Sequence, residues 1–198
     1  MFQYILFYKP YQVLCQFSPE GDKKTLAQFL PDIAKDIYPV GRLDYDSEGL
    51  ILLTNDKSVN QELLNPKKKH ERSYWVQVEG DITKDATKAL EKGVQIQIDG
   101  KIHLTLPARA NKISVPAGLP DRDPPIRFRI SVPTSWIRLT LTEGKNRQVR
   151  RMTAAVGFPT LRLIRCDIGA LDIGYLKPGA NRIVSEAELQ KIFMAVKN

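Results

Sequence analysis

The sequence predicts an α+β fold, with a mainly antiparallel sheet and flanking helices. Three observations carry that expectation. Strand-length runs that are apolar or alternating recur at 2–8, 49–54, 73–79 and 136–142. Two further runs, 94–98 and 102–106, flank an Asp99-Gly100 turn, the signature of a β-hairpin. Helix signals fall among these runs irregularly, without the strict strand–helix alternation of a doubly wound parallel sheet.

Taken in order, 2–8 reads as a strand that Lys9-Pro10 ends. A short helix is predicted at 25–30, before Pro31, and a strand at 37–41. The run 49–54 is continuously apolar and closes at Asn55-Asp56. Asp56 is placed to cap a helix through Val59, Leu63 and Leu64, which Asn65-Pro66 stops. A basic loop follows, Lys67-Lys68-Lys69-His70-Glu71-Arg72. The strand at 73–79 is rich in Tyr, Trp and Val. Thr83 caps a helix to Lys92, with Gly93 as its stop. After the hairpin, 115–125 is proline-rich and reads as a surface loop. Strands are expected near 127–132 and 136–142, a helix at 146–156, a strand at 160–167 and a last helix at 185–196. The expectation is a single domain over 1–198, with the proline-rich loop as the place where two halves would divide.

Composition narrows the functional classes. Of the 198 residues, 42% are hydrophobic and 26% charged, so a sizeable core is within reach and wholesale disorder is not expected. No apolar run approaches the ~18 residues of a membrane span. The N-terminal stretch lacks the basic and long apolar regions of a secretory signal, so a cytoplasmic location is expected. Cys15 and Cys166 are far apart, and His70 and His103 are isolated, so neither a disulfide nor a metal site is expected. The net charge of +8 suits a polyanionic partner, nucleic acid before an anionic membrane surface.

Two segments stand out chemically. Gly41-Arg42-Leu43-Asp44-Tyr45-Asp46-Ser47-Glu48-Gly49 is an acidic loop between two apolar strands. It resembles the first half of a calcium-binding EF-hand loop, but Asn55 stands where the closing glutamate belongs and no helices flank it. A glycosidase-like carboxylate pair, Asp44 with Asp46, fits a +8 protein poorly. A plain turn built from Asp and Gly remains open on local chemistry alone. The second segment is Glu143-Gly144-Lys145-Asn146-Arg147-Gln148-Val149-Arg150-Arg151-Met152. As a helix from Asn146, it places Val149, Met152 and Val156 on one face and Arg147, Arg150 and Arg151 on a neighbouring one. Guanidinium forks there suit phosphate or carboxylate. Neither Gly144-Lys145 nor Gly21-Asp22-Lys23-Lys24-Thr25 has the spacing of a P-loop.

Together these segments resemble a known family. Gly41-Arg42-Leu43-Asp44, then Ser47-Glu48-Gly49-Leu50 and Leu53-Thr54-Asn55-Asp56, resembles the central motif of the RsuA/RluB/RluE/RluF family of bacterial rRNA pseudouridine synthases. The strand from Arg72-Ser73-Tyr74 and the segment from Glu143 resemble its two other motifs, in the same order. Pro124-Pro125-Ile126-Arg127, Pro133-Thr134-Ser135-Trp136 and Gly157-Phe158-Pro159-Thr160 look most like the RluE branch. That branch lacks the extra N-terminal RNA-binding domain and modifies large-subunit rRNA. Arg72-Ser73, where the family often has Lys, and Arg147, where it often has His, are departures that keep basic character.

The resemblance implies a pseudouridine synthase fold and isomerisation of uridine in large-subunit rRNA, by base flipping and without a cofactor or metal. It makes Asp44 the nucleophile, Tyr74 the aromatic surface for the flipped uracil, and Arg150 the cation paired with Asp44. Arg42 is expected to fill the gap left by the base or to hold a phosphate. Lys67, Lys68, Lys69, Arg72, Lys145, Arg147 and Arg151 are candidate phosphate contacts. A monomer is expected. The rival readings are a non-catalytic rRNA-binding assembly factor and an RNA N-glycosylase that releases the base.

Overall fold

A computed structural model describes residues 1–126 and 131–194. In chain order the strands are β1 (Tyr4–Lys9), β2 (Val13–Leu14), β3 (Lys24–Thr25), β4 (Tyr38–Pro39), β5 (Glu48–Thr54), β6 (Arg72–Glu79), β7 (Gln95–Ile98), β8 (Lys101–Leu104), β9 (Arg109–Ile113), β10 (Thr134–Leu141), β11 (Thr160–Ile168), β12 (Leu171–Asp172) and β13 (Asn181–Ile183). The helices are α1 (Lys57–Leu64), α2 (Lys84–Lys92), α3 (Gln148–Ala155) and α4 (Glu186–Met194). The pairings β1–β5, β6–β10 and β9–β10 are antiparallel, as the alternating and apolar runs predict.

The chain divides into two compact units, residues 1–70 with 165–198, and residues 71–164. The proline-rich segment lies inside the second unit and is not the boundary.

In the first unit β1 pairs with β5 from Tyr4↔Thr54 to Lys9↔Gly49, and its other edge pairs with β13. Every residue of β1 and β5 is buried. That is why both read as near-continuous apolar runs: neither face of this pair is left to water. The predicted strand at 37–41 shrinks to two residues, which pair with β5. The predicted helix at 25–30 is one 3-10 turn, Leu26–Gln28. Asp56 caps α1 by accepting the Ser58 N–H. Ser185 and Glu188 exchange hydrogen bonds as a capping box at the start of α4.

In the second unit β6 pairs with β10, and β10 with β9. One face carries a core of Val76, Val78, Ile137, Leu139 and Leu141, closed by Leu90 from α2 and by Val149 and Met152 from α3. Thr83 caps α2 and Gly93 ends it. Asp99 and Gly100 both have positive φ, as the β7–β8 hairpin turn requires. β9 is absent from the sequence expectation. Of the strand predicted near 127–132, residues 127–130 lie outside the described residues, and 131–132 form a turn and bend. Residues 195–196 of the predicted last helix also lie outside. Among the described residues, no helix is long and apolar enough to cross a membrane.

Candidate active site

Asp44 sits half-buried on the loop between β4 and β5. Leu43 beside it is buried and anchors the loop in the first unit, while Arg42 is exposed. The loop is held by its own carbonyls. The Asp44 carbonyl accepts the Ser47 N–H at 3.1 Å, closing a tight turn. The Tyr45 carbonyl accepts the Gln12 N–H at 2.9 Å. The Gly41 carbonyl receives the Cys15 thiol at 3.8 Å. Carbonyls on both sides of Asp44 are therefore fixed to neighbouring backbone or side chains, which limits how far its carboxylate can wander.

Lys9 lies under this loop. It is 0% exposed, and its Nζ donates to the carbonyls of Val13 at 2.7 Å and Pro10 at 2.9 Å, with Tyr45 at 3.5 Å. Burial lowers its pKa to about 8, against the opposing pull of Cys15, Glu48, Asp46 and Asp44. The sequence reading treats Lys9 only as the end of a strand. Its signal was available: a lone charge closing a strand whose other residues are apolar or aromatic, upstream of an acidic loop. Above the loop, the Lys23 ammonium stands 5.7 Å from the Tyr45 ring centroid and pairs with Glu20 at 2.7 Å. The basic run Lys67, Lys68 and Lys69 also belongs to this unit and is exposed, with Lys68 paired to Glu62 at 3.1 Å. A separate open depression in the same unit, lined by Lys35, Asp36, Tyr38, Asn55, Asp56 and Asn60, does not include the Asp44 loop.

Tyr74, Arg72, Lys145, Arg147, Arg150 and Arg151 belong to the second unit. Tyr74 lies on β6 opposite Leu139 and packs, half-buried, on the core that Val149 and Met152 of α3 also enter. Thus Tyr74 and the helix that carries Arg150 rest on one hydrophobic cluster. Arg72 opens β6 opposite Leu141.

The arginine segment differs from the predicted helix at 146–156. The helix begins at Gln148, and Arg147 precedes it in the left-handed region, with φ 51°. Arg147 therefore does not share a helical face with Arg150 and Arg151. The reason lies in the turn before the helix. Gln148 folds its side chain back, accepting the Lys145 N–H at 2.9 Å and donating to Glu143 at 2.6 Å. Lys145 and Arg147 are left exposed on that turn. Arg151 directs its guanidinium at backbone: Nε donates to the Asn146 carbonyl at 3.1 Å and Nη1 to the Gln97 carbonyl. Val149 and Met152 are buried as the periodicity predicts.

The charge is unevenly shared. The second unit carries 16 Lys and Arg against 9 Asp and Glu, the first 14 against 13. Nearly all of the net positive charge therefore belongs to the unit that carries the arginine segment. Among the described residues, no three His, Cys, Asp or Glu side chains are grouped to hold a metal ion.

Residues 3–155 match the family model of RNA pseudouridylate synthase. The chain belongs to this family. Its relatives include the ribosomal large subunit pseudouridine synthase E of Vibrio parahaemolyticus, 49% identical over 88% of this chain and 71% of that protein. The protein of the same name from Xanthomonas campestris is 47% identical over 90% of this chain and 94% of its own length. These relatives place the chain in the RluE branch. A crystal structure of a pseudouridylate synthase superposes with a TM-score of 0.78 at 26% identity, covering 97% of this chain and 74% of that one. As an RNA pseudouridine synthase the chain is an isomerase, and its fold is that of the family.

Proposed function

We propose that this chain converts uridine to pseudouridine in large-subunit ribosomal RNA, with Asp44 as the nucleophile, Tyr74 as the stacking surface for the flipped uracil and Arg150 as the cation that pairs with Asp44. The observation that carries the reading is the half-buried carboxylate of Asp44 on a loop whose carbonyls are tied down at Gly41, Asp44 and Tyr45. A nucleophile works best when it is held in place before the substrate arrives. The names of the relatives support the RNA class, and the charge of the second unit supports a polyanionic partner.

The reaction breaks the bond from ribose C1′ to uracil N1 and forms one from C1′ to C5. The proton leaves C5 and one ends on N1, so substrate and product have the same composition. No electron is gained or lost overall. The chemistry asks of the protein one ionised carboxylate, a surface that holds the detached base while it turns, and a cation that keeps the carboxylate charged in a closed pocket. Arg42 is positioned on the same loop as Asp44 to take a phosphate or the space vacated by the base. Lys145 and Arg147, with Lys67, Lys68, Lys69 and Arg72, supply phosphate contacts that position the RNA without reading its sequence. The protein acts as a monomer in the cytoplasm.

Carbodiimide labelling of large-subunit rRNA, before and after incubation with the protein, tests this reading. A new label at one uridine, with no change in RNA mass, is expected. Release of free uracil would make the protein an N-glycosylase, and unchanged RNA with retained binding would make it an assembly factor.

A further inference from the structure

Glu143 opens the arginine segment and is neither a proposed catalytic group nor a proposed phosphate contact. Its side chain is only 10% exposed, yet its carboxylate takes three donors. Oε1 accepts the Leu106 N–H at 2.8 Å and the Gln148 amide at 2.6 Å, and Oε2 accepts the His103 Nε2–H at 3.2 Å. Two of these come from the β7–β8 hairpin and the residues just after it. The third comes from the first residue of α3. A buried carboxylate with three donors is a fixed point, because moving any partner leaves a charged group under-satisfied.

The start of α3 needs such a fixed point. No side chain caps it, since Arg147 at the cap position makes no capping bond. Arg147 also holds a left-handed conformation, which a non-glycine residue keeps only where its surroundings impose it. Gln148 imposes it here by bonding the Lys145 N–H on one side and Glu143 on the other. The hairpin grips the same helix a second time, through Arg151 on the Gln97 carbonyl. Meanwhile the outer strand of the hairpin buries little, with Ile102 75% and Leu104 64% exposed. The inner strand does pack, with Ile96 buried in the same core as Val149 and Met152, and the polar ties add a directional link from the hairpin to the arginine segment.

We propose that Glu143 is a positioning residue for the pseudouridylation reaction, joining the β7–β8 hairpin to the Lys145–Gln148 turn and so fixing where Arg150 stands two residues later. The inference rests on the reading that Arg150 serves the reaction. Its effect is on orientation, so it appears chiefly in kcat, with only a small change in RNA affinity through Lys145 and Arg147 on the same turn.

The test compares Glu143→Ala, Glu143→Gln, Arg150→Ala and the double variant Glu143→Ala/Arg150→Ala, with single-turnover rate and RNA affinity as separate readouts. Glu143→Ala is expected to lower the rate about ten-fold or more, with affinity within about two-fold of wild type. Glu143→Gln keeps an acceptor for Leu106 and Gln148 and is expected to recover most of the rate. Because Glu143 acts through Arg150, the double variant should be no slower than Arg150→Ala alone. His103→Ala, which removes one donor at a partly exposed position, is expected to shift the rate the same way by a smaller factor. It serves if Glu143→Ala does not fold. A Glu143→Ala rate within two-fold of wild type, beside a crippled Arg150→Ala, would overturn the proposal. So would a double variant in which the two losses multiply. An Arg150→Ala protein of wild-type rate would instead overturn the reading on which the proposal rests.

Discussion

The backbone of Arg165 passes so close to Gly49 that a Cβ at Gly49 would lie 2.3 Å from the Arg165 carbonyl oxygen. Gly49 also has φ 107°, outside the range other residues tolerate. Arg165 completes the contact by donating Nε–H to the Leu50 carbonyl at 2.7 Å. The Asp44 loop thus runs into β5 through a residue that must be glycine. Gly49→Ala is expected to destabilise the protein by about 2–4 kcal/mol, combining backbone strain with overpacking. Urea denaturation of the purified variant checks this, and insolubility on expression would be the extreme form of the same result.

Lys9 predicts a pH signature. Its folded pKa, about 8, is below the 10.5 of an unfolded lysine. Below pH 8 both states carry the proton, and this group adds no pH dependence. Above pH 8 the folded state releases the proton first while the unfolded chain keeps it, so stability contributed by this group rises with pH up to about 10.5. Tyr4 acts oppositely: burial and then its bond to Asp56 push its pKa up to about 12, so stability falls once the unfolded tyrosine ionises above pH 10. The clean window is therefore pH 8 to 10. In it, wild type should gain stability relative to Lys9→Met by about 1 kcal/mol per pH unit, read from paired urea titrations.

Tyr74 separates stacking from hydrogen bonding. Loss of the ring in Tyr74→Ala should reduce kcat/KM by about 5- to 150-fold, the range that 1–3 kcal/mol of base stacking allows. Tyr74→Phe keeps the ring and should keep most of the rate. Equal losses in both variants would move the role of Tyr74 from its ring to its hydroxyl.

The exposed Lys145 and Arg147 should behave differently from Arg151 in salt. Lys145→Ala and Arg147→Ala should each lower the slope of log affinity against log salt by about 0.7, if each meets one phosphate of single-stranded RNA. Arg151 spends its guanidinium on Gln97 and Asn146. Arg151→Ala should therefore lower thermal stability and leave the salt slope nearly unchanged. Filter binding across a salt series distinguishes the two.

Much of this molecule is legible in its sequence where burial writes a strong pattern. β1 and β5 are buried along their whole length, and their apolar runs give them away. α2 carries its own cap in Thr83 and its own stop in Gly93. β9 is illegible for the opposite reason: of Arg109–Ile113 only Ala110 is buried, and β10 supplies the pairing that makes it a strand. The left-handed Arg147 is equally hidden, because a helical period runs straight through it. What moves the helix start is the folded-back Gln148 side chain, a tertiary event. The return of residues 165–198 to the first unit is a long-range arrangement that no local period encodes. The motif frame singles out Asp44 in the first unit and Tyr74 and Arg150 in the second, but it does not reveal the residues that support each. Glu143 becomes visible only through its partners in space, whereas Lys9 is marked as a lone charge at the end of an apolar strand.

A nucleophilic role for Asp44 makes its carboxylate indispensable. Asp44→Asn preserves shape and removes the nucleophilic carboxylate. On large-subunit rRNA we predict no pseudouridine by carbodiimide labelling, with RNA affinity retained. Pseudouridine formation by Asp44→Asn at a rate comparable to wild type would rule out Asp44 as the nucleophile.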